Sequence, residues 1–466
     1  MSFPIKKYSL CALAMLSVLA AACESTAVEV RPNLLVILLD DLGYADVGFN
    51  GCADIATPNI DKIARQGVRC TNGYVTYSVC GPSRAALITG RYQDRFGCCR
   101  NPTVDPTVEN NGVPVSERNI AELLKPAGYT SMTVGKWHLG THPELRPLER
   151  GFDGFFGFLS GGHNYYSEQL TLQDLSEVRH QWDWYRTKLL HNTKRIDTNG
   201  YLTDLLSDAG VDFVDRNFER PFFLYMSYNA PHTPLQATKE YLDRCSHIQD
   251  ERRRKYAAMI TAVDDGVGRL LDKLAEHELD ERTIVFFLSD NGGATNNTAN
   301  NEPLRGHKGD PFEGGVRVPF AVRWAGTLPA GVDYDKPVSA LDIAATICGQ
   351  ADVSVPPDKP LDGVDLTPFL TGVNTSAPHQ ELLWRWYDKD RFAARIGGQK
   401  LILMNSKRDQ RDYDSSMLFD LGEDVTEAVN VIGDHKSLAA KARSRLEQWN
   451  SELTGPLAPG LGSWKP

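Results

Sequence analysis

The chain has 466 residues and a formal net charge of −10 at pH 7, which argues against general nucleic-acid binding, a task that needs a basic surface. The same charge means that the global field does not steer an anion toward the protein, so any anion site must rest on local groups. At this length one large domain plus a smaller one is the expected organisation.

The first elements concern export. Lys6-Lys7, an apolar stretch from Leu10 to Ala22 and small residues before Cys23 read as a signal peptide over residues 1–22, whose apolar stretch is too short to span a bilayer as a helix. An exported protein is expected, whether periplasmic, extracellular or an outer-membrane lipoprotein. Cleavage after Ala22 would expose Cys23 as in bacterial lipoproteins, but Leu19 lies one place further from it than the usual lipobox leucine, so lipidation and membrane tethering stay open. Of nine cysteines, Cys52, Cys70, Cys98, Cys99, Cys245 and Cys348 have no assigned task; an oxidising compartment permits disulfides among them, and their pairing cannot be read. No C-x-x-C pair supports a zinc or redox site.

Asn33 to Leu39 is a continuous apolar run of the kind expected for a strand buried on both faces, and it ends in Asp40-Asp41-Leu42-Gly43. A helix is expected from Asn59 to Gln66. Cys80-Gly81-Pro82-Ser83-Arg84 follows, a cysteine ahead of a Gly-Pro turn and a capping serine where a new helix should start, a place suited to an anion. Asn119 to Lys125 reads as helix, and Thr130 to Val134 as a strand leading into Gly135-Lys136-Trp137-His138. Aromatic residues concentrate in Phe152 to Tyr166 and Trp182 to Tyr185, as core or as a wall for sugar rings. Phe222 to Ser227 is a strand leading to His232, and Tyr256 to His277 the clearest helix. Thr283 to Ser289 repeats the first design and ends in Asp290-Asn291-Gly292-Gly293, after which a glycine-rich loop carries Lys308.

Alternating strands and helices to about residue 370 indicate an α/β domain with a parallel sheet, residues 31–370. A Pro/Gly-rich linker from Val355 through Ser376 precedes a smaller α+β subdomain, residues 377–466, with strands at 382–387, 392–396 and 400–404, a further strand near Met417 to Leu421 and a terminal helix at 436–449. In an open parallel sheet the strand C-termini lie along one edge, where such folds place their sites. Asp40, Asp41, Asp290 and Asn291 converging there form an all-oxygen cluster that needs a hard divalent cation, calcium first and magnesium as the alternative.

Taken together, C-G-P-S-R, the D-D-x-G and D-N-G-G strand ends, G-K-W-H, His232 and the lysine loop resemble the type I sulfatases, formylglycine-dependent enzymes with an alkaline-phosphatase-like fold. The resemblance implies that a separate maturation enzyme oxidises Cys80 to formylglycine and that the metal binds through Asp40, Asp41, Asp290, Asn291 and residue 80. It further implies that the hydrated aldehyde attacks sulfur, that Arg84 stabilises it, and that Lys136 and Lys308 bind sulfate oxygens. His232, helped by Lys308, becomes the acid for the leaving alcohol and His138 the base that regenerates the aldehyde, roles that could be exchanged. After a family-like R-G-F-D-x-F-x-G segment at Arg150 to Gly157, Ser160 is expected near the sulfate and His163 near a sugar hydroxyl. The expected substrate is a sulfated polysaccharide or oligosaccharide. A phosphonate or phosphate ester hydrolase of the same superfamily and a non-catalytic glycan-binding protein are the alternatives.

Overall fold

A computed structural model describes Met1, residues 31–180, 182–404 and 416–458, and Gly460. The expected leader and Cys23 lie outside the described residues. In chain order the strands are Asn33–Leu39 (β1), Val68–Cys70 (β2), Gly73–Tyr74 (β3), Thr130–Lys136 (β4), Gly154–Phe158 (β5), Leu189–His191 (β6), Lys194–Ile196 (β7) and Phe222–Ser227 (β8). They continue with Thr283–Ser289 (β9), Phe320–Arg323 (β10), Val332–Tyr334 (β11), Val338–Ser339 (β12), Glu381–Trp386 (β13), Arg391–Ile396 (β14), Gln399–Met404 (β15) and Met417–Asp420 (β16).

The main sheet has ten strands in the order β11-β2-β10-β9-β1-β8-β4-β5-β6-β7. Its centre is parallel: Leu34 of β1 pairs with Phe223 on one side and Ile284 on the other, while β10 joins β9 antiparallel. β1 explains why the apolar run was readable. Leu34, Val36 and Leu38 enter the core on one face, and Leu35, Ile37 and Leu39 enter the core on the other. At about 1.5–3 kcal/mol for each fully buried aliphatic side chain, six of them are worth roughly 9–18 kcal/mol before chain entropy, enough for the strand to carry two acids at its end.

Helices cover both faces. Glu251–Glu276, capped by Asp250 accepting from the Arg253 amide at 2.7 Å, packs with Leu202–Asn217 against the second face. Ile120–Leu124 starts from a reciprocal capping box between Asn119 and Glu122. The helix at the cysteine motif spans Cys80–Thr89, and Val79 is its cap residue with no side-chain cap, so Ser83 lies within the first turn and does not cap it. Where a linker was expected, Thr367–Leu370 forms a short helix whose Leu370 is buried.

The second sheet is antiparallel, β13-β14-β15-β16. Leu383, Ala394, Leu401 and Leu418 face Ala439, Leu446 and Trp449 of the helix Lys436–Ser451. Trp384, Trp386, Ala393 and Ile402 point the other way and join the main core. The small sheet is thus a plate between the main-sheet body and its own helix.

Candidate active site

Three elements deliver the acids and the thiol to one point. Adjacent β1 and β9 end in Asp40-Asp41 and Asp290-Asn291, and the N-terminus of Cys80–Thr89 sets Cys80 beside them. Ligand atoms of Asp40, Asp41, Cys80 and Asp290 all lie within 4.8 Å of one another, and all four residues are buried. Cys80 Sγ is 3.3 Å from Asp40 Oδ1 and 3.9 Å from Asp41 Oδ1. Asn291 donates from Nδ2 to Asp41 Oδ1 at 2.7 Å, while its buried Oδ1 has no hydrogen-bond partner among the described residues. Three carboxylates, a sulfur position and an unspent amide oxygen are a donor set that fits a hard divalent cation.

Basic groups surround the acids. Arg84 is fully buried and donates from Nε to Asp290 Oδ2 at 2.7 Å, with Nη1 directed at Ser227 Oγ and, at 3.3 Å, the Lys136 carbonyl. Lys136 Nζ donates to Asp40 Oδ2, and Lys308 Nζ lies 2.7 Å from each oxygen of Asp41. Gly135 lets Lys136 reach this place: with φ of +103°, a Cβ there would sit 1.9 Å from the Ser227 carbonyl oxygen of β8. Asp41 and His138 also take positive φ, 64° and 56°, strain of about 1–3 kcal/mol each that marks sites held by their surroundings.

The electrostatics follow from burial and these neighbours. Burial and the charges of Asp290 and Asp40 push the Cys80 thiol far up, so it is no thiolate here. Although burial acts against it, Lys308 and His232 hold the Asp41 carboxyl well below the usual carboxylate range. Burial, then Lys136 and Arg84, pushes His138 well below the ordinary histidine value, and neither of its buried ring nitrogens has a hydrogen-bond partner among the described residues. His232 is brought down to about 3 by burial, against the pull of Asp41, whose Oδ2 is 3.6 Å from Nε2. Its Nδ1 faces the Thr233 carbonyl at 2.7 Å, so the neutral tautomer donates there and leaves Nε2 as a proton acceptor.

A cavity of about 340 Å3 opens above this floor, lined by Cys80, His138, His232 and Lys308 below and by Trp182, Trp184 and Tyr185 among its walls. The aromatic run is therefore divided between core and wall. Trp184 is buried with Val104 and Val178 behind it, whereas Trp182 is 52% exposed and packs against both Trp184 and Tyr185, with centroids 5.3 and 5.7 Å apart. Asn101, Val104 and Asn296 also line the cavity, and nothing in their local sequence marks them.

Ser160 and His163 stand apart from the cavity lining. Ser160 is buried and donates to the Gly162 carbonyl at 2.9 Å. His163 is fully buried, stacks on Phe158 at 4.7 Å, and faces the Thr187 and Asn164 carbonyls at 2.7 and 3.0 Å. Both its ring nitrogens are thus directed at the protein's own backbone, which offers no edge to a sugar hydroxyl.

Residues 32–353 match the family model described as Sulfatase, and residues 308–452 the one described as N-sulphoglucosamine sulphohydrolase, C-terminal. Mouse N-acetylgalactosamine-6-sulfatase is 31% identical over 465 residues, covering 92% of this chain and 87% of its own. The uncharacterized sulfatase YdeN of Escherichia coli K12 is 32% identical over 419 residues, covering 77% of this chain and 70% of its own. The crystal structure of Ps i-CgsB, known also in complex with k-i-k-neocarrahexaose, superposes with a TM-score of 0.86 at 38% identity, covering 93% of this chain and 95% of that one.

Proposed function

We propose, from the premise that this chain belongs to the sulfatase family and hydrolyses sulfate esters, that its substrate is a sulfated oligosaccharide or polysaccharide bound in the aromatic-walled cavity. One observation carries the reading: Cys80, the member of the buried acid–cysteine cluster that reaches the cavity, lines it together with an exposed indole, Trp182. Aromatic faces suit the apolar faces of pyranose rings, and the oligosaccharide complex of Ps i-CgsB supports the same class.

Asp40, Asp41, Asp290, Asn291 and residue 80 would hold a calcium ion, or magnesium, which when bound supplies Lewis-acid polarisation of sulfate oxygens. Cys80 would be converted by a maturation enzyme to formylglycine, which supplies the nucleophilic hydroxyl as its hydrate and a second hydroxyl through which sulfate is later expelled. The remaining work falls to unmodified side chains. Lys308, which lines the cavity with Cys80, and Lys136, buried against Asp40, meet charge developing on the sulfate oxygens. Arg84 keeps Asp290 oriented and adds a fixed positive charge beneath residue 80. His232 takes a proton at Nε2, is stabilised as imidazolium by Asp41, and returns that proton to the departing alcohol. His138, neutral because of its burial, is the base for the second half of the cycle. The leader-like residues 1–22 support export of the chain from the cytoplasm, and the chemistry belongs to a catalytic domain of residues 31–370 followed by a subdomain of residues 377–466.

Release of free sulfate from a panel of sulfated oligosaccharides, run beside aryl sulfate and aryl phosphate esters, tests the reading. Sulfate release together with the mass loss of thiol-to-aldehyde conversion in the Cys80 peptide is expected. Full activity from protein whose residue 80 is entirely thiol, or phosphate release without sulfate release, would overturn it.

A further inference from the structure

A second cluster of buried charges lies outside the floor of the cavity. Lys400 of β15, fully buried, sits 2.8 Å from Glu313 Oε1 and 3.1 Å from Glu427 Oε1, and all three side chains are inaccessible or nearly so. Tyr74 donates its hydroxyl to Glu313 Oε2 at 2.6 Å, and Arg317 approaches the same oxygen at 3.5 Å. Ionic groups this deep are weak evidence for stability, because desolvation offsets most of their attraction. Their placement indicates another use.

Glu427 holds both ends of the loop that carries Lys308. Its Oε2 accepts the Glu313 amide at 2.7 Å, and its backbone carbonyl accepts from Arg305 Nη1 at 2.7 Å. Next to Glu313 the Gly314 amide closes the loop base on the Arg305 carbonyl, also at 2.7 Å, and the Arg305 guanidinium lies 4.0 Å over the Phe312 ring. Inside the loop, the Lys308 amide donates to Gly293 and the Gly309 amide to Ser78, at 3.1 and 2.8 Å. Glu427 also adopts a φ of +51°, a conformation that glycine would take at less cost, but glycine would have no carboxylate to offer Glu313. From these contacts we propose that Glu427, kept in place by Lys400, is a positioning residue through which the C-terminal sheet fixes Lys308 at the cavity floor.

Lys308's own task rests on the sulfatase reading, so the test is arranged to separate the two. Amide hydrogen exchange is measured on the full chain for wild type, Glu427→Ala, Glu427→Gln and Arg305→Ala. The Lys308 and Gly309 amides should exchange at least tenfold faster in Glu427→Ala, less so in Glu427→Gln, and measurably faster in Arg305→Ala, while amides of the helix Glu251–Glu276 keep their wild-type rates. Unchanged Lys308 and Gly309 exchange, or uniform acceleration across the chain, would overturn the proposal without touching the sulfatase reading. Should Glu427→Ala fail to fold, Arg305→Ala and Glu427→Gln give the same readout. In the second arm, sulfate release is followed for Glu427→Gln, Lys308→Ala and the double variant. If Glu427 acts through Lys308, its substitution lowers kcat/KM in the wild-type background and changes it less than twofold in the Lys308→Ala background. Equal losses in both backgrounds would refute positioning.

Discussion

Gly161→Ala is the sharpest test of His138, because the perturbation is small and its direction is set by the structure. The φ of Gly161 lies outside the left-handed region, so the backbone accepts alanine, but the added Cβ would lie 2.8 Å from both Cε1 and Nε2 of His138 and 3.3 Å from Cδ2. Ordinary contact begins at 3.4 Å; the buried imidazole must therefore yield by about 0.6 Å. Overpacking of this kind costs about 1–3 kcal/mol, partly offset by the roughly 0.4–1 kcal/mol that Gly→Ala gains through the unfolded chain. Activity should suffer more, since a displacement near 1 Å at a reacting group can cost about 100-fold. We expect kcat for sulfate release to fall roughly 10- to 100-fold while calcium binding, measured by calorimetry, stays at the wild-type value because no acid has moved. A variant whose kcat stays within twofold of wild type would show that the imidazole's position is not used in the rate-limiting chemistry.

Asp290→Ala should abolish calcium binding in calorimetry and, by leaving the buried Arg84 without its 2.7 Å carboxylate, cost about 3–5 kcal/mol of stability; undiminished calcium affinity would remove the proposed metal site. Trp182→Ala is expected to lower kcat/KM on a sulfated oligosaccharide roughly 2- to 13-fold, in line with about 0.5–1.5 kcal/mol for an aromatic contact, with Trp182→Phe retaining most of it; equal rates in wild type and both variants would leave the indole without a role. His163 predicts a pH dependence. Burial lowers it from 6.5 to about 4, so its neutral form is favoured in the fold; stability is fully present above pH 6.5 and falls as pH drops toward 4, by at most on the order of 3 kcal/mol. Urea midpoints at pH 7.5 and 5 should therefore converge in His163→Leu relative to wild type, and parallel losses in the two proteins would contradict the assignment.

Legibility in the sequence followed the range over which each signal acts. β1 and β9 were visible because a strand covered on both faces must be apolar throughout, and their terminal acids stood out against that background. The long helix kept its period, although its start at Glu251 precedes the expected Tyr256 because a charged, solvated first turn carries no apolar periodicity. β10 and β11 were missed; four and three residues give too short a pattern. At the site, acids and bases could be assembled from strand ends by topology alone. His163 could not, since whether a histidine faces a ligand or the Thr187 carbonyl depends on a loop 24 residues away. Glu427 carries no such signal, because its partner Glu313 opens a short helix more than a hundred residues earlier in the chain and its partner Lys400 lies on the strand Gln399–Met404.

The ten-stranded sheet also has to end somewhere. Its two outermost strands, β7 and β11, are three residues each, and both spend that length on charge: Lys194 and Arg195 at one rim, Asp333 at the other, the latter held by Arg69. A rim so short and so well hydrated offers an incoming chain little to pair with and a penalty for dehydrating its charges. Were those edges long and bare, the same ten strands that gather the acids could pair with a neighbouring chain and seed aggregation; short charged borders work against that.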